Sequence, residues 1–85
     1  MKLWILRPIE GSPYWEPWYD KAFGFVVRAK DEKEARMIAY RDQGDEGGYN
    51  HVETDSPWLD SSQSTCKELS SDGESEMIIK DYAAA

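Results

Sequence analysis

The chain has 85 residues, enough for one domain with one hydrophobic core, and its formal net charge is −7 at pH 7. Its one cysteine, Cys66, excludes an internal disulfide. The apolar run near the N-terminus is shorter than a signal peptide or a membrane span requires. We therefore predict that residues 1–85 form a single domain in the cytoplasm, without a membrane partner.

The charge is distributed unevenly along the sequence. Residues 1–41 carry eight Lys or Arg against six Asp or Glu, whereas residues 42–85 carry two against eleven. Because binding of phosphate groups requires cations that displace counterions, the acidic half disfavours direct contact with nucleic acid. An acidic surface is instead complementary to a basic protein surface, such as the nucleic-acid-binding site of another protein.

Two segments in the first third of the chain have the residue pattern of β-strands. In residues 2–9 and again in residues 22–29, apolar side chains alternate along the chain, and Pro8 ends the first segment. The first segment is apolar on both faces, which predicts a strand covered on both sides. We expect the two strands to pair in antiparallel fashion, joined by a loop over residues 10–21.

This loop contains an unusual aromatic stretch, "PYWEPWY", at residues 13–19. Four of its seven residues are Trp or Tyr and two are Pro. The prolines disfavour a regular helix or a central strand. Loops of about a dozen residues inside compact domains are uncommon and are often functional.

The stretch "KDEKEARMIAYRDQG" at residues 30–44 predicts one α-helix, which should run from about Glu32 to Asp42. Asp31 can accept hydrogen bonds from amides of the first turn, while Glu34 reaches back in a capping-box arrangement. The acidic residues also lie where the helix dipole is positive. The sequence therefore contains a strong start signal for a helix.

The predicted helix has one apolar face. Ala35, Ile38 and Ala39 follow the i, i+3, i+4 spacing of a stripe that packs on a sheet. The residues expected to point outward are Lys33, Arg36, Tyr40 and Arg41.

Residues 43–64 are rich in acidic and turn-forming residues, with one short candidate strand at residues 49–53. Trp58 and Leu59 are expected to pack into the core and so anchor this loop segment.

Two further strands are expected near the C-terminus, at "STCKEL" (residues 64–69) and "SEMIIKDY" (residues 75–82), around a turn at Asp72-Gly73. The resulting element order is β-β-α-β-β. It predicts an α+β fold in which an antiparallel sheet of about four strands carries one helix on one face.

No residue pattern in the chain indicates catalysis or a cofactor. His51 lies in an acidic loop, where a solvated or capping histidine is expected, and no serine has a nucleophile-elbow pattern. Residues 42–53 have the length of a calcium-binding loop, but Gly44 stands where the third position needs an oxygen ligand. Cys66 is expected to be a small packed residue. We predict no enzyme activity, no cofactor and no metal site.

The aromatic stretch and the acidic half supply the candidate partner-binding residues. The rings can cover the sheet face opposite the helix, or form an exposed patch that anchors a partner, and the two interpretations are compatible. Exposed acids would add attraction to a basic partner. The candidate residues are Tyr14, Trp15, Glu16, Trp18, Tyr19, Asp20, Asp45, Glu46, Asp55 and Asp60.

Several segments spread along the chain have a recognisable pattern: "EPWYDKAFGFVVRA", the helix "EARMIA", "WLD", "STCKEL" and the terminal "GESEMIIKDYAAA". Through these features, most of the chain resembles small uncharacterised proteins of phages and prophages. This resemblance brings no established activity. In size, acidity and lack of catalytic motifs, the chain is also similar to phage anti-defence inhibitors, of which the anti-CRISPR proteins are the best-known class. The second likeness implies action in the host bacterial cytoplasm.

From these observations we expect a non-enzymatic inhibitor that binds a host nucleic-acid-handling complex. Its acidic surface and aromatic anchors would occupy the nucleic-acid site of that complex. The alternative is a small homodimeric structural or regulatory accessory protein, which associates through exposed aromatic residues and a sheet edge and has no inhibitory role.

Overall fold

The structure of the protein is a computed structural model that describes residues 1–15, 21–47 and 56–80. Among these residues, no helix has the length and apolar character needed to cross a membrane. The regular elements are β1 (Lys2–Pro8), β2 (Phe25–Ala29), α1 (Glu32–Arg41) and β3 (Ser64–Leu69), with 3-10 turns at Pro13–Trp15 and Asp45–Gly47.

The three strands form an antiparallel sheet in the order β2-β1-β3, so that β1 is the central strand. Leu6 on β1 lies opposite Phe25 on β2 and opposite Cys66 on β3. The predicted antiparallel pairing of the first two strands is confirmed, as is the end of β1 at Pro8. With α1 packed on one face of this sheet, the fold belongs to the predicted α+β class.

The described residues contain three strands of the four predicted. Residues 75–80, the described part of the fourth predicted strand, are not a strand, and the candidate strand at 49–53 lies outside the described residues. Ile79 instead borders a cleft that Ile5 and Val26 also line, on a face of the sheet. A segment lying over a sheet face does not meet the backbone N–H and C=O groups of an edge strand, which explains the missing pairing.

Helix α1 begins with the predicted capping arrangement. Oδ1 of Asp31 accepts a hydrogen bond from the backbone N–H of Glu34 at 2.9 Å. The Glu34 side chain accepts in turn from the backbone N–H of Lys30 at 3.0 Å, one residue before the expected donor. At the other end, the N–H of Asp42 donates to the carbonyl of Ala39 at 3.1 Å. These bonds satisfy terminal backbone groups that have no partner within the helix.

The core lies between the sheet and α1 and is built largely from aromatic rings. Trp58 makes edge-to-face contacts with Trp15 and Phe25, with ring centroids 4.9 and 4.8 Å apart. Small residues on α1 let the helix approach these rings closely. Trp58 therefore anchors its segment as predicted. The buried apolar residues are Leu6, Trp15, Ala29, Ala35, Ala39 and Trp58.

Arg36 lies inside the protein, so its predicted outward orientation is wrong. Its Nε donates to Oε2 of Glu32 at 2.8 Å, and its Nη1 donates to the Trp58 carbonyl at 2.9 Å and to Ser64 Oγ at 2.8 Å. Its Nη2 donates to the Ser64 carbonyl at 3.2 Å. The planar guanidinium can make several directed bonds at once, which explains how a charge is accommodated there. Arg36 thus joins α1 to residues 58–64.

The sheet face that points away from α1 is called the open face. Leu3 on β1 and Val26 on β2 are 37% and 51% exposed on this face, whereas Ile5 on β1 is half-buried, so the predicted cover on both sides of β1 is only partial on this side. The strand positions on the open face, given by alternation and register, are Leu3, Ile5, Arg7, Val26, Arg28, Thr65, Lys67 and Leu69.

Candidate partner-binding site

The two described rings of the aromatic stretch point into the protein. Trp15 is 6% exposed, packs against Trp58 on the helix side of the sheet and donates from Nε1 to the Gln63 carbonyl at 3.0 Å. The Tyr14 hydroxyl donates to the backbone carbonyl of Glu46 at 2.7 Å. Trp15 therefore covers the core rather than the face opposite α1. The candidates outside the described residues are Glu16, Trp18, Tyr19, Asp20 and Asp55.

Glu46 is fully buried, although it was predicted as part of an acidic surface. Its Oε1 accepts hydrogen bonds from Trp58 Nε1 at 2.9 Å and from the backbone N–H of Ala22 at 3.1 Å. Its Oε2 has no hydrogen-bond partner among the described residues. Because a buried polar group is retained where it satisfies other buried groups, Glu46 acts as an internal cross-link and does not contribute to the surface.

A second hydrogen bond reinforces this cross-link. Ser56 Oγ donates to Oε1 of Gln43 at 2.7 Å, three residues before Glu46. Segments 43–46 and 56–58 are therefore joined at two points. The short 3-10 turn at Asp45–Gly47 aims the Glu46 side chain inward, while Asp45 remains exposed.

Asp60 is exposed and shapes the turn that leads into β3. Its Oδ1 accepts from the Ser62 backbone N–H at 2.8 Å and from the Ser62 hydroxyl at 2.6 Å. Its carbonyl accepts from the N–H groups of Gln63 and Ser64, both at 3.0 Å. The side-chain and backbone hydrogen bonds from Ser62 lower the pKa of the Asp60 carboxyl. Asp60 is thus a fixed negative charge on the surface, with a structural role of its own.

Among the described residues, Cys66 and the acidic side chains have potential nucleophilic or metal-binding chemistry. Cys66 is half-buried on the core side of β3, and burial raises the pKa of its thiol, an effect that the charge of Arg36 opposes. A raised pKa disfavours the reactive thiolate. No group of three or more His, Cys, Asp or Glu side chains is placed to hold a metal ion in the part of the chain that the structure describes. His51 lies outside that part.

The candidate site therefore consists of exposed acidic residues on two segments, 43–46 and 56–60, that hydrogen bonds between Trp58 and Glu46 and between Ser56 and Gln43 hold together. Of the ten candidates, Asp45 and Asp60 lie on the described surface, and Trp58 links the segments that carry them.

Sequence reasoning missed the open face as a candidate surface. The available signal was the apolar character of both faces of β1 in a chain with one helix, which can cover one face only.

Comparison of the chain with protein-family models, with curated proteins and with solved structures finds no match.

Proposed function

We propose that this chain is a non-enzymatic inhibitor of the phage anti-defence kind, similar in character to the anti-CRISPR proteins. It binds a basic nucleic-acid-binding surface on a host protein complex and blocks access of nucleic acid to that surface. The observation that carries the proposal is the buried hydrogen bond between Glu46 and Trp58, which joins two segments that carry exposed acids.

The joining follows from the positions of the residues along the chain. Asp45 directly precedes Glu46, and Asp60 follows Trp58 by two residues. A bond between the two buried side chains therefore restricts the movement of both exposed acids relative to the core. Acids that are already fixed lose less conformational freedom when a partner binds, and that saving strengthens the complex.

The sign and distribution of charge favour a basic protein as the partner. Residues 42–85 carry eleven acidic residues and two lysines. Such a field attracts a basic groove and repels nucleic acid, so the chain would compete with nucleic acid for the groove. Salt should weaken this attraction, because the Debye length falls to about 8 Å at physiological ionic strength.

The test uses purified CRISPR effector complexes of several types, each with its guide RNA, and measures association at low and high ionic strength. At least one complex should bind the chain. The double variant Asp45→Asn/Asp60→Asn should then associate several-fold more slowly at low salt and show a flatter salt dependence. Asn at position 60 keeps an oxygen that can accept the Ser62 hydrogen bonds.

The matched control is Glu10→Gln/Glu68→Gln, which removes two exposed acids elsewhere on the chain. Its net charge equals that of Asp45→Asn/Asp60→Asn. If the two double variants slow association equally, the acids at 45 and 60 have no special role. If no effector complex binds the chain, the inhibitor proposal fails in its anti-CRISPR form.

A second candidate function is the homodimeric structural or regulatory accessory protein. The exposed apolar residues Leu3 and Val26 on the open face favour it, because exposed apolar patches mark interaction surfaces. A stable dimer that leaves nucleic-acid binding by every tested complex unchanged would support this candidate over the inhibitor.

A further inference from the structure

Large apolar side chains are exposed in two places outside the acidic site. One place is the open face with the neighbouring Phe23, which is 62% exposed. The other is the tail segment, defined as residues 70–80, where Met77, Ile78 and Ile79 are 73%, 55% and 41% exposed. Three consecutive exposed apolar residues near a sheet face that also exposes Leu3 and Val26 are unusual on a small monomer and indicate an interface.

Within one copy, a single residue of the tail segment lies beside the open face. Ile79 borders the cleft that Ile5, Phe23 and Val26 also line. Met77 and Ile78 precede it and remain mostly exposed. The intrachain contact therefore leaves most of the apolar surface of this segment in water.

The charges of the open face and the tail segment are opposite. Strand positions on the open face include three cations, Arg7, Arg28 and Lys67, and no acid. The tail segment contains three acids, Asp72, Glu74 and Glu76, and one lysine, Lys80, so its formal net charge is −2. Every copy of the chain thus carries both halves of a complementary pair, and two open faces without intervening acids would repel each other.

We propose that a second copy of this chain covers the surface: two copies pack open face to open face, and Met77 and Ile78 of each tail segment contact the open face of the other copy. Such a two-fold interface is self-complementary, because each copy gives a tail and receives one. It buries the exposed apolar residues and places the tail acids near the cations of the other copy. The interface does not use Asp45 or Asp60, so the dimer proposal can be tested independently of the inhibitor function.

The experiment reverses the charge of each half in turn and measures the oligomeric state of the full chain by sedimentation equilibrium and native mass spectrometry. The face variant is Arg28→Glu/Lys67→Glu, and the tail variant is Glu74→Lys/Glu76→Lys. All four residues are exposed, so both variants should retain the fold. Lys33→Glu/Arg41→Glu, on exposed positions of α1, is the control for the face variant because it changes net charge by the same amount.

The wild-type chain should form a concentration-dependent dimer that the α1 control preserves. For each reversed variant alone, the dissociation constant of the dimer should rise about tenfold or more, because its tail and face then carry like charges. An equimolar mixture of the two variants should recover a heterodimer, because the acidic tail of one meets the basic face of the other and the reverse pair also matches.

The mixing result distinguishes a second copy from an intrachain contact, which mixing cannot restore. A second, uncharged variant, Met77→Ser/Ile78→Ser, should also weaken the dimer. A chain that stays monomeric up to about 1 mM would overturn the proposal. So would a dimer that both reversed variants preserve, or a mixture in which no heterodimer forms.

Discussion

The indole Nε1 of Trp58 donates a hydrogen bond to Oε1 of Glu46 at 2.9 Å, and both side chains are fully buried. The same oxygen accepts the backbone N–H of Ala22 at 3.1 Å. One carboxylate thus satisfies two donors from segments that lie far apart in the sequence. Because an unpaired buried donor is costly, the stability of this region depends on that oxygen.

Replacing Glu46 should therefore destabilise the fold. Glu46→Ala leaves the N–H groups of Trp58 and Ala22 without their acceptor and should lower the free energy of unfolding by about 3 kcal/mol. Glu46→Gln keeps an oxygen of similar position and should cost about 1 kcal/mol. Urea denaturation followed by Trp fluorescence measures both, with Glu10→Ala, at an exposed acidic position, as control. An Ala variant as stable as the wild type would show that the cross-link is dispensable.

Trp15 should behave as a core residue. Trp15→Ala removes a buried ring that packs against Trp58 and should cost about 3–5 kcal/mol. Phe23→Ala removes a ring that is mostly exposed and should change stability by about 0.5 kcal/mol or less at low protein concentration. Thermal melts of the two variants would be compared at equal concentration. Equal loss of Tm in both would contradict the placement of the two rings.

Arg36 should be essential to the docking of α1, in contrast to a charge on the same helix that faces water. Arg36→Ala leaves the buried carbonyls of Trp58 and Ser64 without these donors and should cost about 3 kcal/mol. Arg41→Ala, at an exposed position, should stay within about 0.5 kcal/mol. Chemical denaturation distinguishes the two, and similar values would mean that Arg36 is not held inside.

Asp60 should contribute to the loss of stability in acid. The hydrogen bonds from Ser62 lower its pKa in the folded protein, so the folded state binds a proton less readily than the unfolded state does. The contribution is present above the unfolded pKa, about 3.9, and is lost as the pH falls through the lower folded pKa. Asp60→Asn should flatten the fall in stability below that value. Parallel pH profiles for the variant and the wild type would refute this role.

Local signals in the sequence were sufficient for several elements. The alternation in residues 2–9 and 22–29 predicted two strands, because side chains of a strand point to opposite faces in turn. The start of α1 was predicted from Asp31 and Glu34, whose capping bonds span a few residues. Both signals depend only on neighbours along the chain.

Features that depend on distant residues could not be predicted in this way. The burial of Arg36 depends on carbonyls in the segment from Trp58 to Ser64, and the burial of Glu46 depends on the indole of Trp58. Arg and Glu are residue types that are usually exposed to solvent, so neither residue on its own indicates burial. The apolar run at residues 77–79 predicted a strand because sequence alone does not show whether such a run pairs with an edge strand or meets the sheet only through its side chains.

The central claim, that the chain occupies a basic nucleic-acid-binding site, is tested most directly by competition. An effector complex that binds the chain is mixed with labelled target DNA, and DNA binding is measured by mobility shift while the chain is titrated. The account predicts that DNA binding is abolished at saturating concentrations of the chain. The half-inhibiting concentration of the chain should rise linearly with DNA concentration, and Asp45→Asn/Asp60→Asn should raise it at every DNA concentration. DNA binding that persists at saturating chain, or a half-inhibiting concentration independent of DNA, would contradict the account.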